Sequence, residues 1–294
     1  MNRPASGLPF LPRPELKLQQ GMVLIAVLWM VAALGILVTG MTRSVREEAR
    51  TLTLARQSVE GTALGDAAIQ LVLQEMVSKS GNAVAGLVQV QKVYQGVSME
   101  VQVVPLNGLI DLNSAPEPLL NSLYLVAGGL TAERASLLAQ STVQARQRRD
   151  ARGAQKRFEA PEDLLQIQGI DFPLYARLSG LVTADLNGTG KVSPLAAPLG
   201  VLTVLAAGNT EVADRIAQSR LAGVAAVETT ALDAAFVQNT TVRRFRVQAR
   251  VPLADGTWLS VSRSVDLDAR GRAGLPWHTF HTRHSIDPVL RQNP

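Results

Sequence analysis

Twenty consecutive residues without a charge, Met22 to Met41, constrain this chain more than any other feature. At about 1.5 Å per helical residue such a run reaches roughly 30 Å, the hydrocarbon thickness of a bilayer, so the sequence predicts a membrane-spanning helix. A secretory signal peptide has a shorter apolar region with a small-residue cleavage site after it. Here the break precedes the apolar run, at Gly21, behind a leader carrying Arg3, Arg13 and Lys17. Arg43 and Arg46 follow the run but are partly balanced by Glu47 and Glu48. The positive-inside rule then favours a cytoplasmic N-terminus and a body on the far side. An uncut signal anchor is the plainer alternative.

A chain of 294 residues makes one large domain or two modest ones. With 47% hydrophobic residues and a single long apolar run, it fits a soluble body on one membrane helix better than a multi-span protein. Without the leader's Arg3, Arg13, Lys17 and Glu15, the net charge falls from +5 to +3. That mild basicity is a weak pointer to nucleic acid. The absence of Cys excludes disulfides and thiolate chemistry.

Four prolines in residues 1–21 oppose regular structure. Beyond the apolar run, Val45, Ala49, Leu52, Val59 and Ala63 recur at helical spacing, and Ala67, Ala68, Leu71, Val72 and Met76 continue an apolar face to about Ser78, with Gly61 and Gly65 as expected bends. A β-hairpin is expected across Gln95-Gly96, where Val97, Met99, Val101 and Val103 alternate with polar residues. A second is expected across Asp255-Gly256, flanked by Phe245, Val247, Ala249 and Val251 and by Leu259, Val261, Val265 and Leu267. Each hairpin alone is too small to be stable, so the two are expected to join in one antiparallel sheet on the long helix.

The resulting expectation is an α+β fold. It comprises a leader (1–21), a membrane and stalk helix (22–80), a sheet domain (81–106 and 240–268), an all-helical insertion (107–239) and a flexible tail (269–294). In the insertion, Ser114 and Glu117 fit a capping box around Pro116. Further helices are expected at 131–150, 161–168, 173–182, 197–207, 210–220 and 224–237. Residues Gly108, Ala115, Pro116, Leu120 and Leu123 recur 82 positions later as Gly190, Ala197, Pro198, Leu202 and Leu205, which suggests a duplication.

Two segments, Ile110–Pro116 and Glu162–Ile170, resemble helix-hairpin-helix modules, including those of competence proteins that bind DNA at a membrane. Such modules hold phosphate on the backbone N–H groups of a Gly-rich turn. Here the turns offer Gly128-Gly129 and a single Gly169, with the acidic Asp171 close by. Arg146, Arg148, Arg149, Arg152, Lys156 and Arg157 could meet phosphates, but a solvated helix end accounts for them more simply. Asp185, Asn187, Thr189 and Gly190 follow the first half of a calcium loop, yet Ala196 stands where a bidentate Glu should close it; a plain Asn-Gly turn fits better. His278, His281 and His284 could share a metal at helical spacing, and are read instead as part of a solvated tail. No nucleophile with a base, phosphate loop or dinucleotide fingerprint is visible, so an enzyme is not expected and no cofactor is required.

A leader ending in Gly before a retained apolar helix resembles the signal of type IV pilins and type II secretion pseudopilins. The resemblance implies cleavage between Gly21 and Met22 by a prepilin peptidase and N-methylation of Met22. Members of that family mostly carry Glu as the fifth processed residue; here it is Ala26. Ala26, the helical insertion with its Asn-Ser-Ala-Pro and Glu-Asp-Leu-Leu-Gln-Ile-Gln-Gly-Ile blocks, and the terminal hairpin follow the order of the large minor pseudopilin, the general secretion pathway protein K family. That resemblance implies a single-pass inner-membrane subunit with a periplasmic body, at the tip of a secretion pseudopilus. Its partners would be other minor pseudopilins and the major one, and it admits Ca2+ in the pilin domain. The alternative is a membrane-anchored helix-hairpin-helix DNA-binding protein of a DNA-uptake system.

Overall fold

A computed structural model describes residues 19–79, 86–149, 153, 155–186, 188–223, 227–271 and 274–287, with the side chains of 19–21, 36–47 and 49 outside that set. The chain divides into two units, through Ser58 and from Val59 onward. Over its described residues the first unit is helical throughout, the opening part of α1 (Gln19–Ser78). Its described side chains from Met22 to Gly35 are all exposed, with Leu24 and Trp29 at 73%. Among the described residues no helix is long and apolar enough to cross a membrane. The expected span 22–41 falls partly on side chains 36–41, which lie outside the described ones.

The second unit is built on a five-stranded antiparallel sheet in the order β1-β2-β5-β6-β7. Strands β1 (Val88–Tyr94) and β2 (Val97–Pro105) form the first expected hairpin. Gln95 and Gly96 both take positive φ, 49° and 79°, as a two-residue turn with right-handed strand twist requires. Strands β5 (Arg244–Pro252) and β6 (Trp258–Asp266) form the second hairpin. Its loop is one residue longer than Asp-Gly alone, closed by Leu253 N–H to Thr257 O at 2.8 Å, with Gly256 at φ 83°. The expected joining of the hairpins is present: β2 pairs with β5 from Glu100↔Arg250 to Pro105↔Phe245.

One sheet face receives the last turns of α1. Ala68, Ile69, Val72 and Leu73 are buried with Met99, Val101, Val247, Ala249, Val251, Leu259 and Val261. Gly61 and Gly65 do not break α1; they let it approach the sheet. A Cβ on Gly61 would lie 2.8 Å from Leu259 Cδ2, and one on Gly65 would lie 2.7 Å from Val261 Cγ2. Arg263 sits on this same apolar face, opposite Val247. Its guanidinium is answered by Asp66 of α1 at 2.7 Å, which fixes the helix along the sheet.

Residues 278–287, expected as tail, form β7 (His278–Asp287), paired with β6 across a bulge at Ser264/Val265. The strand lacks a clean apolar alternation, which is why periodicity missed it. It forms because the outer edge of β6, beside buried Val265, would otherwise leave backbone groups unpaired.

Between β2 and β5 lies the inserted body. Its elements are β3 (Ile110–Asp111), α2 (Glu117–Ser122), α3 (Ala132–Gln147), α4 (Phe172–Leu178), β4 (Val182–Thr183), α5 (Leu199–Leu205) and α6 (Thr210–Leu221), plus a π-helical turn at Leu123–Ala127 and a 3-10 helix at Pro161–Gln166. It is not all-helical, since β3 and β4 pair in parallel. The described part of 224–237 is irregular, with Val237 bridged to Val192. The capping box does not form: the Ser114 hydroxyl donates to Asp111 instead, and Pro116 takes the cap position of α2. The body has its own apolar core, including Leu112, Leu119, Leu120, Leu123, Leu138, Leu164, Leu178, Val201 and Leu202.

The 82-residue repeat is structural. Ser114 N–H bonds Asp111 O at 3.2 Å and Ala196 N–H bonds Ser193 O at 3.1 Å, and Pro116 and Pro198 each open a short helix. Gly108 packs on Ala196 O and Gly190 on Ser114 O, each 2.2 Å from where a Cβ would stand. Arg146 of α3 returns to Leu112 O, while Arg220 of α6 returns to Leu195 O and Ala197 O. The two copies thus brace each other's first turn.

Gly65→Leu should lower the free energy of unfolding by about 2 kcal/mol in urea denaturation, because overpacking against Val261 exceeds the gain in helix propensity. Unchanged stability would show that the helix can lift from the sheet at no cost.

Candidate functional site

The surface that makes this unit one body is where the polar face of β5 and β7 meets the insertion. By alternation Arg244, Arg246, Gln248 and Arg250 occupy one face of β5. At the solvent end Arg250 pairs with Glu100 at 3.3 Å and lies over the Trp258 ring. At the other end Arg246 reaches the insertion and donates to the carbonyls of Val182 at 2.7 Å, Gly180 at 3.2 Å and Ser179 at 3.4 Å. These are carbonyls at and after the end of α4, where helix carbonyls lack intrahelical partners. Burial pulls the Arg246 pKa down to about 10, still charged at neutral pH. Arg244 bonds Asp266 at 2.8 Å and Asp185 O at 2.7 Å.

Strand β7 adds Arg283, which bonds both Glu162 and the Tyr175 hydroxyl and stacks on the Tyr175 ring. Burial pushes the Tyr175 hydroxyl up to about 12, with Glu162 adding to the rise, so it stays protonated. Burial opposes charge on Glu162, but backbone hydrogen bonding and Arg283 outweigh it, and its carboxyl titrates below the ordinary range. His281 stands 3.7 Å from Glu162. This arrangement holds β7 against the inserted body.

Of the helix-hairpin-helix-like segments, Ile110–Pro116 forms β3 and a turn that lead into a first helical hairpin, and Glu162–Ile170 forms the first half of a second. The first runs from α2 through Gly128-Gly129 into α3, the second from the 3-10 helix through Gly169 into α4. They grip each other. Arg177 of α4 donates to Gly128 O at 2.9 Å, and Arg134 of α3 donates to Gly169 O at 3.3 Å. The N-termini are closed internally, α4 by the Asp171 carboxylate on Leu174 N–H at 2.9 Å and α3 by Thr131. Asn113 of the first segment bonds Phe158 N–H and O and Ala184 O, all at 2.9 Å. Of the basic run, Arg146 is used internally, Arg152 lies outside the described residues, and Arg148, Arg149, Lys156 and Arg157 are exposed.

The processing pair Gly21 and Met22 and the apolar Ala26 lie in α1, with Met22 and Ala26 exposed. Of the calcium candidates, Asn187 lies outside the described residues, and the Thr189 hydroxyl is bonded to Gln238 at 2.7 Å. Burial raises the Asp185 carboxyl. Among the described residues no group of three or more acidic or histidine side chains could hold a metal ion. The histidines lie along β7, where His278 faces Asp266, His281 faces Ser264 and His284 faces Val261 across the ladder.

Sequence reasoning missed the residues that assemble this surface. Arg263 carries a signal, as the one charge in the apolar phase between Val261 and Val265. Arg246 carries none, because its alternation matches a solvated strand face.

Arg246→Ala should cost about 2–4 kcal/mol, since three carbonyls lose a charged donor, whereas Arg250→Ala on the same strand should cost under about 1 kcal/mol. Equal losses in thermal melts would contradict the docking role. Glu162 titrates lower folded than unfolded, so its contribution is present at neutral pH and lost as pH falls through its folded value. Glu162→Gln should therefore melt lower than wild type at pH about 7, with the gap closing as pH falls through the folded Glu162 value; Asp185, whose carboxyl is raised in part by Glu162, is replaced by Asn in both proteins so that its own titration does not enter the difference.

No family model matches the chain, and no curated protein does. Among solved structures it is similar to a chain in the crystal structure of the GspK-GspI-GspJ complex from the type 2 secretion system of enterotoxigenic Escherichia coli, at a TM-score of 0.49 and 14% identity, over 81% of this chain and 99% of that one.

Proposed function

We propose that this chain is a minor pseudopilin of a type II secretion system, of the large, K-type kind, and that it acts as a structural subunit and not as a catalyst. The observation that carries the reading is topological. A small antiparallel sheet packs on the end of a long helix, and its neighbouring strands β2 and β5 are separated by a helical body of more than a hundred residues. That is the architecture the sequence resemblance implies. The described side chains of 22–35, apolar and exposed all round, need either lipid or neighbouring helices to cover them.

In this reading the leader is cut after Gly21, and Met22 becomes the methylated N-terminus. The apolar run spans the inner membrane with the body periplasmic. Ala26 removes a carboxylate that would need a neighbour's amine inside an apolar fibre. The inserted body, too bulky to repeat along a tight fibre, suits a subunit that starts or caps it, in contact with other minor pseudopilins. Helix-hairpin-helix DNA binding is disfavoured because the hairpins close on each other and Asp171 occupies its own helix start. Calcium remains part of the proposal through Asp185 and Thr189. A melting temperature unmoved by millimolar Ca2+ would remove it.

Mass spectrometry of the chain from cells with prepilin peptidase should find methylated Met22 at the N-terminus, and from cells without it the uncut leader. Gly21→Leu should give the uncut form in both. Retention of Met1 in the wild-type strain would overturn the pseudopilin reading and the tip role together.

A further inference from the structure

A cleft of about 540 Å³ opens between the C-terminal end of α3 and the segment 156–168. Arg148, Lys156 and Arg157 stand on its walls, all exposed. Among the described residues no carboxylate lies within ion-pair distance of these three. The floor is apolar, since Phe158 and Ile167, each 7% exposed, line the cleft. Asp163 also lines it but is committed, accepting from Glu159 N–H, Ala160 N–H and the Gln166 amide. The walls are held in place. Asn113 fixes Phe158 through its backbone N–H and O, and Lys156 N–H bonds Arg148 O at 2.7 Å, tying the two basic walls together.

We propose that this cleft is a docking site for an acidic polypeptide segment with an apolar side chain at its centre. Arg148, Lys156 and Arg157 attract the carboxylates, Phe158 and Ile167 receive the apolar group, and Gln144 and Gln168 on the walls match peptide N–H and C=O groups. A cleft of this size encloses a few side chains. The cleft is a poorer fit to nucleic acid. The turns where a helix-hairpin-helix module would hold phosphate are taken up internally, Gly128 O by Arg177 and Gly169 O by Arg134, and the nearby helix start at Asp171 is already capped. The site does not depend on the pseudopilin reading, because it uses the inserted body alone.

Fluorescence anisotropy on the full chain in detergent tests it. The probes are a labelled peptide of about ten residues in which Asp and Glu flank Leu-Phe, the same peptide with Ser-Ser at the centre, and single-stranded DNA of similar charge. The acidic Leu-Phe peptide should bind tightest, weaken as salt rises from about 50 to about 300 mM, and lose at least about tenfold in affinity in the double variant Arg148→Glu, Arg157→Glu. If that variant melts early, Arg148→Gln with Arg157→Gln replaces it, with a smaller loss expected. An affinity unchanged by either variant, equal binding of the Ser-Ser peptide, or tighter variant-sensitive binding of DNA would overturn the proposal.

Discussion

The ladder between β2 and β5 is the constraint on which the second unit depends. It joins Glu100–Pro105 to Phe245–Arg250 across the whole inserted body, and long-range pairing of this kind carries the loop-closure cost before any contact rewards it. Closing it requires the body to begin and end within one strand spacing. Asn107 meets that requirement: its side-chain amide donates to Thr240 O at 2.5 Å while its backbone carbonyl accepts from Ser193 N–H at 2.7 Å. The end of β2, the approach to β5 and the second repeat copy therefore meet at one residue.

With the ends fixed, the two faces of the sheet take different partners. The apolar face takes the glycine-bearing turns of α1, where the absence of side chains at Gly61 and Gly65 brings backbone close to Leu259 and Val261. The polar face takes the insertion through arginines. Arg244, Arg246 and Arg283 place charged donors on main-chain carbonyls and carboxylates. A guanidinium can satisfy several acceptors in a fixed plane. That property lets a strand face bearing charges become an interior seam, and it makes the sheet and the inserted body a single rigid support for whatever surface the body presents.

Much of the fold is legible in the order of residues. The hairpins at Gln95-Gly96 and Asp255-Gly256, the joining of the four strands, and most of the inserted helices follow from period-2 and period-3.6 patterns with local turn chemistry. So does the duplication, because Ala-Pro openings and leucine spacing survive in both copies. What failed did so for identifiable reasons. Strand β7 has no apolar alternation and owes its existence to the open edge of β6. The segment 227–237 carries apolar residues at helical spacing, yet Val237 is drawn into a bridge with Val192. Ser114 looks like a helix cap but finds a nearer acceptor in Asp111.

By itself the sequence determined that an uncharged run of membrane length begins just after Gly21, that the body is α+β, and that a large segment interrupts a small sheet. These depend on local periodicity and on the cost of burying charge, both readable one stretch at a time. Only the tertiary structure decided which charged side chains are structural. Arg263 and Arg246 differ in sequence only by the phase of a strand, but one is claimed by Asp66 and the other by carbonyls after α4. Arg148, Lys156 and Arg157 are left facing a cleft. A charge acquires its role from the partner that folding brings beside it, and that partner lies up to two hundred residues away.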